Sequence, residues 1–135
     1  MVKQNFKPKE IIIINNGLHK YKKKDLINSN KIKSKIKIIN NKKNLFPAKA
    51  RNKGANLANC NYLCFLDDDD KWEKGYLKEA KKIILKFNSD IILSKIFINN
   101  KLFKNPKNLL LNDILVKNPG ITGSNIIIKR NKFLE

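Results

Sequence analysis

Four consecutive aspartates, Asp67–Asp70, directly follow the apolar run Tyr62–Leu66. An apolar run of this length is typical of one buried strand, so the aspartates mark the end of that strand. They are four of only 11 acidic residues in a chain that has 30 Lys and Arg. Adjacent carboxylates repel one another, and a divalent cation that prefers oxygen ligands is their natural neutraliser. The run therefore predicts a metal site that holds a phosphorylated ligand.

A purely structural role accounts for part of the acidic run. Asp70 and Glu73 have the spacing of an N-cap and its capping-box partner at the start of a helix. Segment 71–87 carries apolar residues at helical spacing, namely Trp72, Tyr76, Leu77, Ala80, Ile83, Ile84 and Phe87. Capping explains Asp70, and the helix dipole favours one further acid, but neither explains all four.

Length and composition predict one folded domain over residues 1–135. The chain is 41% hydrophobic, which is ordinary for a folded protein, and contains no apolar stretch long enough to cross a bilayer. Its first ten residues are polar and basic without a following apolar segment, which is unlike a secretory signal. We expect a cytoplasmic location, peripheral at the inner face of the cell membrane.

The net charge of +19 raises the question of nucleic-acid binding. Nearly all of this charge is lysine, since Arg51 and Arg130 are the only arginines, whereas arginine is favoured for phosphate recognition. The lysines are spread along the chain with few aromatic residues between them. We expect a solvated basic face attracted to anionic lipids, and no nucleic-acid partner. A basic module that binds nucleic acid or an anionic membrane remains the alternative.

Histidine and cysteine are too scarce for several kinds of site. His19 is the only histidine, and Cys60 and Cys64 are the only cysteines, so neither a zinc site nor a catalytic triad is supported. Because both cysteines lie in or beside an apolar strand, we expect them to be buried.

Strand and helix patterns alternate along the chain. The sequence predicts strands at 10–14, 35–39, 61–66, 90–93, 95–99 and 125–128, and helices at 20–30, 47–58, 71–87 and 109–116. This alternation predicts an α/β fold with a mostly parallel sheet and flanking helices. Ligands of such sheets bind at the carboxyl ends of strands, where both Asn15–Asn16 and Asp67–Asp70 are expected.

Four segments, in order, resemble family 2 of the GT-A glycosyltransferases. Ile14–Gly17 is similar to the family's Val-Asp-Asp-Gly turn, and Ala50–Gly54 to its Ala-Arg-Asn-x-Gly segment. Phe65–Trp72 is similar to its Phe-Leu-Asp-x-Asp-Asp motif, and Gly120–Arg130 to its later Gly-Ser-Asn strand. The resemblance implies the GT-A fold and transfer of a sugar from a nucleotide-diphosphate donor to a saccharide or lipid-linked acceptor, as in cell-surface polysaccharide synthesis.

The resemblance also implies roles for individual residues. Asp67 would contact the ribose, and Asp69 would hold Mn²⁺ or Mg²⁺ against the diphosphate. Arg51 would lie near the base or the phosphates, Asn16 at the base with Asn15 beside it, and Asp68 would support the site. No residue is assigned as catalytic base, because Asp90 and Asp113 are both expected to be structural.

Two departures from the family pattern bear on activity. Asn15 and Asn16 stand where the family usually has aspartates. The family begins with an earlier strand and helix, of which this chain matches only the end of the helix, and inverting members place their acidic catalytic base in a region beyond the one that matches Glu135. The alternative is therefore a truncated, catalytically weak donor-binding fragment.

Overall fold

The structure, a computed structural model, describes residues 4–26, 35–99, 101–103 and 120–135. Strands and helices alternate through the first two-thirds of the chain, as predicted. In chain order the elements are β1 (Glu10–Asn15), β2 (Lys35–Asn40), α1 (Pro47–Leu57), β3 (Tyr62–Cys64), α2 (Tyr76–Phe87), β4 (Ile91–Leu93), β5 (Ile96–Ile98), β6 (Lys101–Phe103), β7 (Ile126–Lys129) and α3 (Arg130–Leu134).

The described strands pair in three separate sheets. β1 and β2 are parallel, whereas β7 lies between β3 and β4 and is antiparallel to both. β5 and β6 form a third, antiparallel pair. The expected parallel character is thus confined to β1 and β2. The prediction of a parallel sheet fails for the second sheet. There β3 and β4 run in the same direction, but β7 lies between them and runs in the opposite direction.

The predicted helix at 20–30 is wrong in its described part, which contains only a 3₁₀ turn at Lys23–Asp25. The side chain of Asn40 accepts from the backbone N–H of Tyr21 at 2.9 Å and donates to its carbonyl at 2.9 Å, so this segment is held extended along the end of β2. The predicted helix at 109–116 lies outside the described residues. β6 and α3 were not predicted.

Helix α2 begins at Tyr76, five residues later than predicted, and the Asp70–Glu73 capping box does not form. The N-cap position is Gly75, and no side-chain cap comes from that residue. Instead the buried side chain of Gln4 accepts from the N–H of Leu77 at 3.2 Å and donates to the carbonyl of Glu73 at 2.6 Å. The cap of this helix is therefore supplied by a residue more than 70 positions away.

The core lies where α1 packs on β3 and β7. Ala55, Ala58, Leu63 and Ile128 form the buried cluster, and Ile12, Phe65, Ile126 and Phe133 pack against it. The small side chains of α1 permit close approach to the strands, as the notional Cβ of Gly54, 3.5 Å from Ile14 Cγ1, illustrates. Arg130 Nε donates to the carbonyl of Ala55 at 3.0 Å, near the end of α1.

The two cysteines are less buried than predicted. Cys60 is half-buried and Cys64 is exposed. Alternation along β3 directs Leu63 into the core and Cys64 to the opposite face.

Candidate functional site

The four aspartates form a turn that begins three residues after the last residue of β3, Cys64. The backbone N–H of Asp70 lies 3.3 Å from the carbonyl of Asp67, which closes the turn over residues 67–70. Asp67 is half-buried, and the other three are exposed. Within the part of the chain that the structure describes, no side chain pairs with the carboxylates of Asp68, Asp69 or Asp70. The turn thus presents three free carboxylates and one that is held.

Asp67 is held by Arg51, which projects from α1. Arg51 Nη2 lies 2.8 Å from both Oδ1 and Oδ2 of Asp67. The two side chains are 29% and 42% exposed, respectively, so the pair lies at the surface of the site and a ligand can reach it. The predicted Arg51 and Asp67 are therefore brought together, by a helix and a turn that lie 16 residues apart.

The backbone of Gly123 lies directly against the Arg51 guanidinium. A Cβ at position 123 would lie 2.3 Å from Arg51 Nη2 and 2.8 Å from Nε, closer than real side chains approach. Arg51 Nε is buried there, and no hydrogen-bond acceptor contacts it among the described residues. The position of the guanidinium relative to the loop is therefore set by its contact with the backbone of Gly123 and not by a hydrogen bond to Nε.

Ser124 attaches the same loop to the acidic turn. Its Oγ accepts from the backbone N–H of Asp67 at 2.9 Å, and its carbonyl accepts from Trp72 Nε1 at 2.7 Å. The Trp72 ring stacks on Tyr76 with centroids 4.8 Å apart. The turn is thus clamped at its first residue and just beyond its last.

The buried side chain of Asn125 shapes this loop from within. Its Nδ2 donates to the carbonyls of Ser94 and Gly120, both at 2.8 Å, and its Oδ1 accepts from the N–H of Thr122 at 2.8 Å. Asn125 is only 2% exposed, so each of these bonds is shielded from water. Asn125 therefore sets the positions from which Gly123 and Ser124 reach Arg51 and Asp67.

A group of asparagines joins the ends of β1 and β2. Both N–H groups of the Asn15 amide are used, at 2.6 Å to the carbonyl of His19 and at 2.8 Å to Asn40 Oδ1. Asn16 Nδ2 donates to the carbonyl of Leu45 at 2.8 Å, and its Oδ1 accepts from Asn41 Nδ2 at 2.7 Å. Asn15 is committed to the turn, whereas Asn16 keeps one amide N–H unused among the described contacts.

Helix α1 reaches both polar groups. Arg51 extends to Asp67, and Lys53, two residues further on, donates to Asn41 Oδ1, which in turn lies beside Asn16. In the described part of the chain no hydrogen bond or ion pair joins the asparagines directly to the acidic turn. The predicted residues thus form two groups, and α1 is the element common to both.

The remaining acids have other roles or lie elsewhere. Asp90 Oδ1 lies 2.7 Å from Lys129 Nζ, and the hydrogen bond from this ammonium lowers the pKa of Asp90. That arrangement is a structural ion pair, as expected. Asp113 lies outside the described residues. Sequence reasoning assigned no site role to Gly123, Ser124 or Asn125 and placed Trp72 on the apolar face of a helix; the Gly-Ser-Asn triplet was the available signal.

The acidic turn fits a divalent cation that takes only part of its ligands from the protein. Among the described residues, no three His, Cys, Asp or Glu side chains converge on one point as a complete metal cage would require. A Mg²⁺-type site needs only one or two carboxylates when substrate phosphates and water supply the other ligands. The exposed, unpaired carboxylate of Asp69 meets that requirement.

No helix in the described segments is both long and apolar enough to cross a membrane.

The family model of glycosyl transferase family 2 matches residues 1–133. The chain is also 32% identical over 83 residues to the amylovoran biosynthesis glycosyltransferase AmsB of Erwinia amylovora. That alignment covers 60% of this chain and 28% of the relative. These matches bear out the family resemblance seen in the sequence.

The fold is similar to crystal structures of residues 1–349 of S. aureus TarS. The TM-score is 0.68 for the complex with UDP and 0.69 for a second structure of the same TarS residues, with 26% identity in both cases. Each match covers 96% of this chain and 40% of the TarS chain. The predicted α/β class of GT-A type is confirmed, and the chain spans less than half the length of these relatives.

Proposed function

Because the chain belongs to glycosyl transferase family 2, we propose that it transfers a sugar from a nucleotide-diphosphate donor to a saccharide or lipid-linked acceptor. The observation that carries the proposal is the acidic turn after β3, where Arg51 and Ser124 hold Asp67 and the carboxylate of Asp69 is free. Such a turn offers a carboxylate for a cation and a second, fixed carboxylate for a donor hydroxyl.

The donor is proposed to be a nucleoside diphosphate sugar. The support from comparison is that a protein of similar fold, S. aureus TarS, has been solved in complex with UDP. In this chain Asp67 is oriented by its contact with Arg51, and its carboxylate is 42% exposed, so it can accept a hydrogen bond from a ribose hydroxyl. Asp68 adds negative charge on the exposed side of the same turn.

Asp69 would hold the cation, Mn²⁺ or Mg²⁺, in this donor site. The bound cation would supply Lewis-acid stabilisation of the charge that develops on the diphosphate as it leaves. The chain's own residues prepare the donor site: before the donor binds, Arg51 holds the carboxylate of Asp67, and the clamp formed by Ser124 and Trp72 fixes the turn. A turn that is held in this way need not reorganise during the reaction.

Asn16, rather than Asn15, is the proposed contact to the base. Both N–H groups of the Asn15 amide donate hydrogen bonds within the turn, whereas Asn16 keeps one amide N–H without an acceptor among the described residues. A neutral amide donates as well as accepts, so Asn16 can pair with an acceptor on a base edge where an aspartate cannot. Asn15 would then act by fixing the backbone on which Asn16 is carried.

The proposed pathway is synthesis of a cell-surface polysaccharide or lipooligosaccharide. The support is the relative from Erwinia amylovora, which is named for amylovoran biosynthesis. The acceptor would be a saccharide or a lipid-linked saccharide, presented at the inner face of the cell membrane.

The outer face of α2 is the proposed contact with that membrane. Lys78, Lys81, Lys82 and Leu85 line a groove of about 410 Å³ together with Asn5 and Phe6. Leu85 is 75% exposed among these lysines, and Lys81 Nζ lies 4.6 Å from the centre of the Phe6 ring. Exposed apolar groups ringed by lysines suit a surface of anionic lipid head groups.

Vesicle sedimentation tests this membrane contact. The wild-type chain is expected to bind vesicles that contain phosphatidylglycerol and to leave pure phosphatidylcholine vesicles unbound. Reversing Lys78, Lys81 and Lys82 to Glu should abolish binding, whereas reversing the exposed lysines Lys42, Lys43 and Lys49 should weaken it only slightly. Equal losses in the two triple variants would show that overall charge, and not this face, attracts the lipid.

A second candidate function is a donor-binding unit with little activity alone. The observation in its favour is that β1 and β3 each pair on one side only among the described strands. β1 is an almost continuous apolar run, which is typical of a parallel strand in a sheet that is covered on both faces. A further strand between β1 and β3 would join the two sheets into one.

Calorimetric titration with UDP and GDP, with and without Mn²⁺, tests the proposed function. Saturable binding that requires Mn²⁺ would support a donor site and identify the base. Donor binding without transfer to any acceptor would favour the second candidate. A cooperatively folded chain that binds neither nucleotide would contradict both.

A further inference from the structure

We propose that Arg51 is a built-in counter-ion that weakens the binding of free divalent cations to the acidic turn until the nucleotide diphosphate arrives, and that Gly123 positions it. This inference rests on the proposed function, because it concerns the same donor site. It assigns roles to Gly123 and to the Arg51–Asp67 contact that neither the family match nor the sequence motifs supply.

The charges in the turn are unevenly neutralised. Arg51 Nη2 contacts both oxygens of Asp67 at 2.8 Å, while Asp68, Asp69 and Asp70 have no described partner. A cation that approaches Asp69 therefore meets a neighbour, Asp67, whose charge is already balanced. Because Asp67 and Asp69 are two residues apart in one turn, release of Asp67 would add a second carboxylate to the cation's surroundings.

The position of Arg51 depends on the missing side chain at residue 123. A Cβ there would lie 2.3 Å from Nη2, 2.7 Å from Cζ and 2.8 Å from Nε of Arg51. The guanidinium is the far end of a flexible side chain, so it would move while the backbone stays in place. Gly123 is not among the glycines with positive φ, and alanine therefore fits its backbone without strain.

The buried Nε of Arg51 shows that this arrangement is not the best one for the arginine itself. A buried donor without an acceptor is unfavourable, and here no described acceptor contacts Nε. The oxygens of a diphosphate are strong acceptors for a guanidinium. A donor diphosphate can thus draw Arg51 away from Asp67, so that the cation and the nucleotide bind together rather than in sequence.

Titration of Mn²⁺ in the absence of nucleotide, followed by electron paramagnetic resonance, tests the inference on the intact chain. Gly123→Ala should bind Mn²⁺ about two- to fivefold more tightly than wild type, because loss of a partly exposed ion pair is worth that ratio. Gly75→Ala is the matched control, since a Cβ at Gly75 meets nothing within 4 Å. A merely structural role for Gly123 predicts unchanged or weaker Mn²⁺ binding.

Arg51→Met provides a second variant that removes the counter-ion without touching the loop. It should also tighten Mn²⁺ binding, and both variants should weaken binding of UDP in the presence of Mn²⁺. Unchanged free-metal affinity in Arg51→Met would overturn the counter-ion role. Tighter binding in Arg51→Met alone, with Gly123→Ala folded and unchanged, would overturn the positioning role of Gly123.

The nucleotide measurement separates this inference from the proposed function. If the wild-type chain binds Mn²⁺ equally with and without UDP, the donor site itself is contradicted. The comparison of free Mn²⁺ affinities among the variants needs no nucleotide, so its outcome decides the role of Arg51 in either case.

Discussion

Replacement of Asn125 by alanine should destabilise the protein strongly and disturb the candidate site at the same time. The Asn125 side chain makes three hydrogen bonds of 2.8 Å, two from Nδ2 to carbonyls and one from a backbone N–H to Oδ1. The residue is 2% exposed, so water cannot replace these bonds in the folded chain. The loop that carries Gly123 and Ser124 would lose its internal support.

The magnitude follows from the number of bonds. A neutral intramolecular hydrogen bond contributes about 1 kcal/mol net, so the loss of three predicts a fall of about 3 kcal/mol in the free energy of unfolding. Total stabilities of natural domains are about 5–15 kcal/mol, which makes this a large fraction. Asn125→Asp should be no milder at neutral pH, because its carboxylate would face the carbonyls of Ser94 and Gly120.

Urea unfolding at constant pH measures the effect, with Asn56→Ala as the matched control. Asn56 is exposed, and among the described residues its amide bonds only to the carbonyl of Asn52 in the same helix, so its loss should change the free energy of unfolding by less than about 0.5 kcal/mol. If Asn125→Ala behaves like Asn56→Ala, the loop does not depend on this side chain and the account of the clamp is refuted.

Two further predictions concern other contacts. Burial raises the pKa of Glu10, but hydrogen bonds from the N–H of Asn59 and from Cys60, with the charge of Lys37, outweigh it and hold this pKa below 4.5. The ionised carboxylate therefore stabilises the fold above pH 4.5. The free energy of unfolding of wild type should exceed that of Glu10→Gln there, and the difference should disappear as the pH falls through the lowered pKa. A difference in urea unfolding that does not change with pH would contradict this. Trp72→Phe removes the donor to the carbonyl of Ser124 and should lower the free energy of unfolding by about 1 kcal/mol, and an unchanged urea midpoint would show that this bond contributes nothing.

Local patterns in the sequence predicted the elements that depend on local chemistry. The apolar runs of β1 and β2 and the proline that opens α1 were interpreted correctly, because each signal lies within the element that it specifies. The acidic turn was also located at a strand end, since the change from apolar to acidic residues is abrupt.

The failures have non-local causes. Asp70 and Glu73 have capping-box spacing, yet Gln4 holds the carbonyl of Glu73 and caps Leu77 instead, so α2 begins later. Likewise, the side chain of Asn40 holds Tyr21 in an extended segment where a helix was expected. Neither contact leaves a local signal in the sequence.

The candidate site was predicted in its residues but not in its construction. Arg51 and Asp67 were both named, whereas the clamp formed by Gly123, Ser124 and Trp72 depends on the return of the chain to β3 through β7. The loop reaches the acidic turn because β7 pairs with β3 in the antiparallel direction. The sequence predicted a mostly parallel sheet, so this contact was not foreseen.

Calorimetric titration of UDP in the presence of Mn²⁺ tests the central claim most directly when Asp69→Asn is compared with Asp70→Asn. Both variants remove one exposed carboxylate from the same turn, so their effects on net charge are equal. A donor site in which Asp69 holds the cation predicts that Asp69→Asn loses Mn²⁺-dependent binding while Asp70→Asn retains it, with both variants folded. Retained Mn²⁺-dependent binding in Asp69→Asn would contradict the assignment of the metal site.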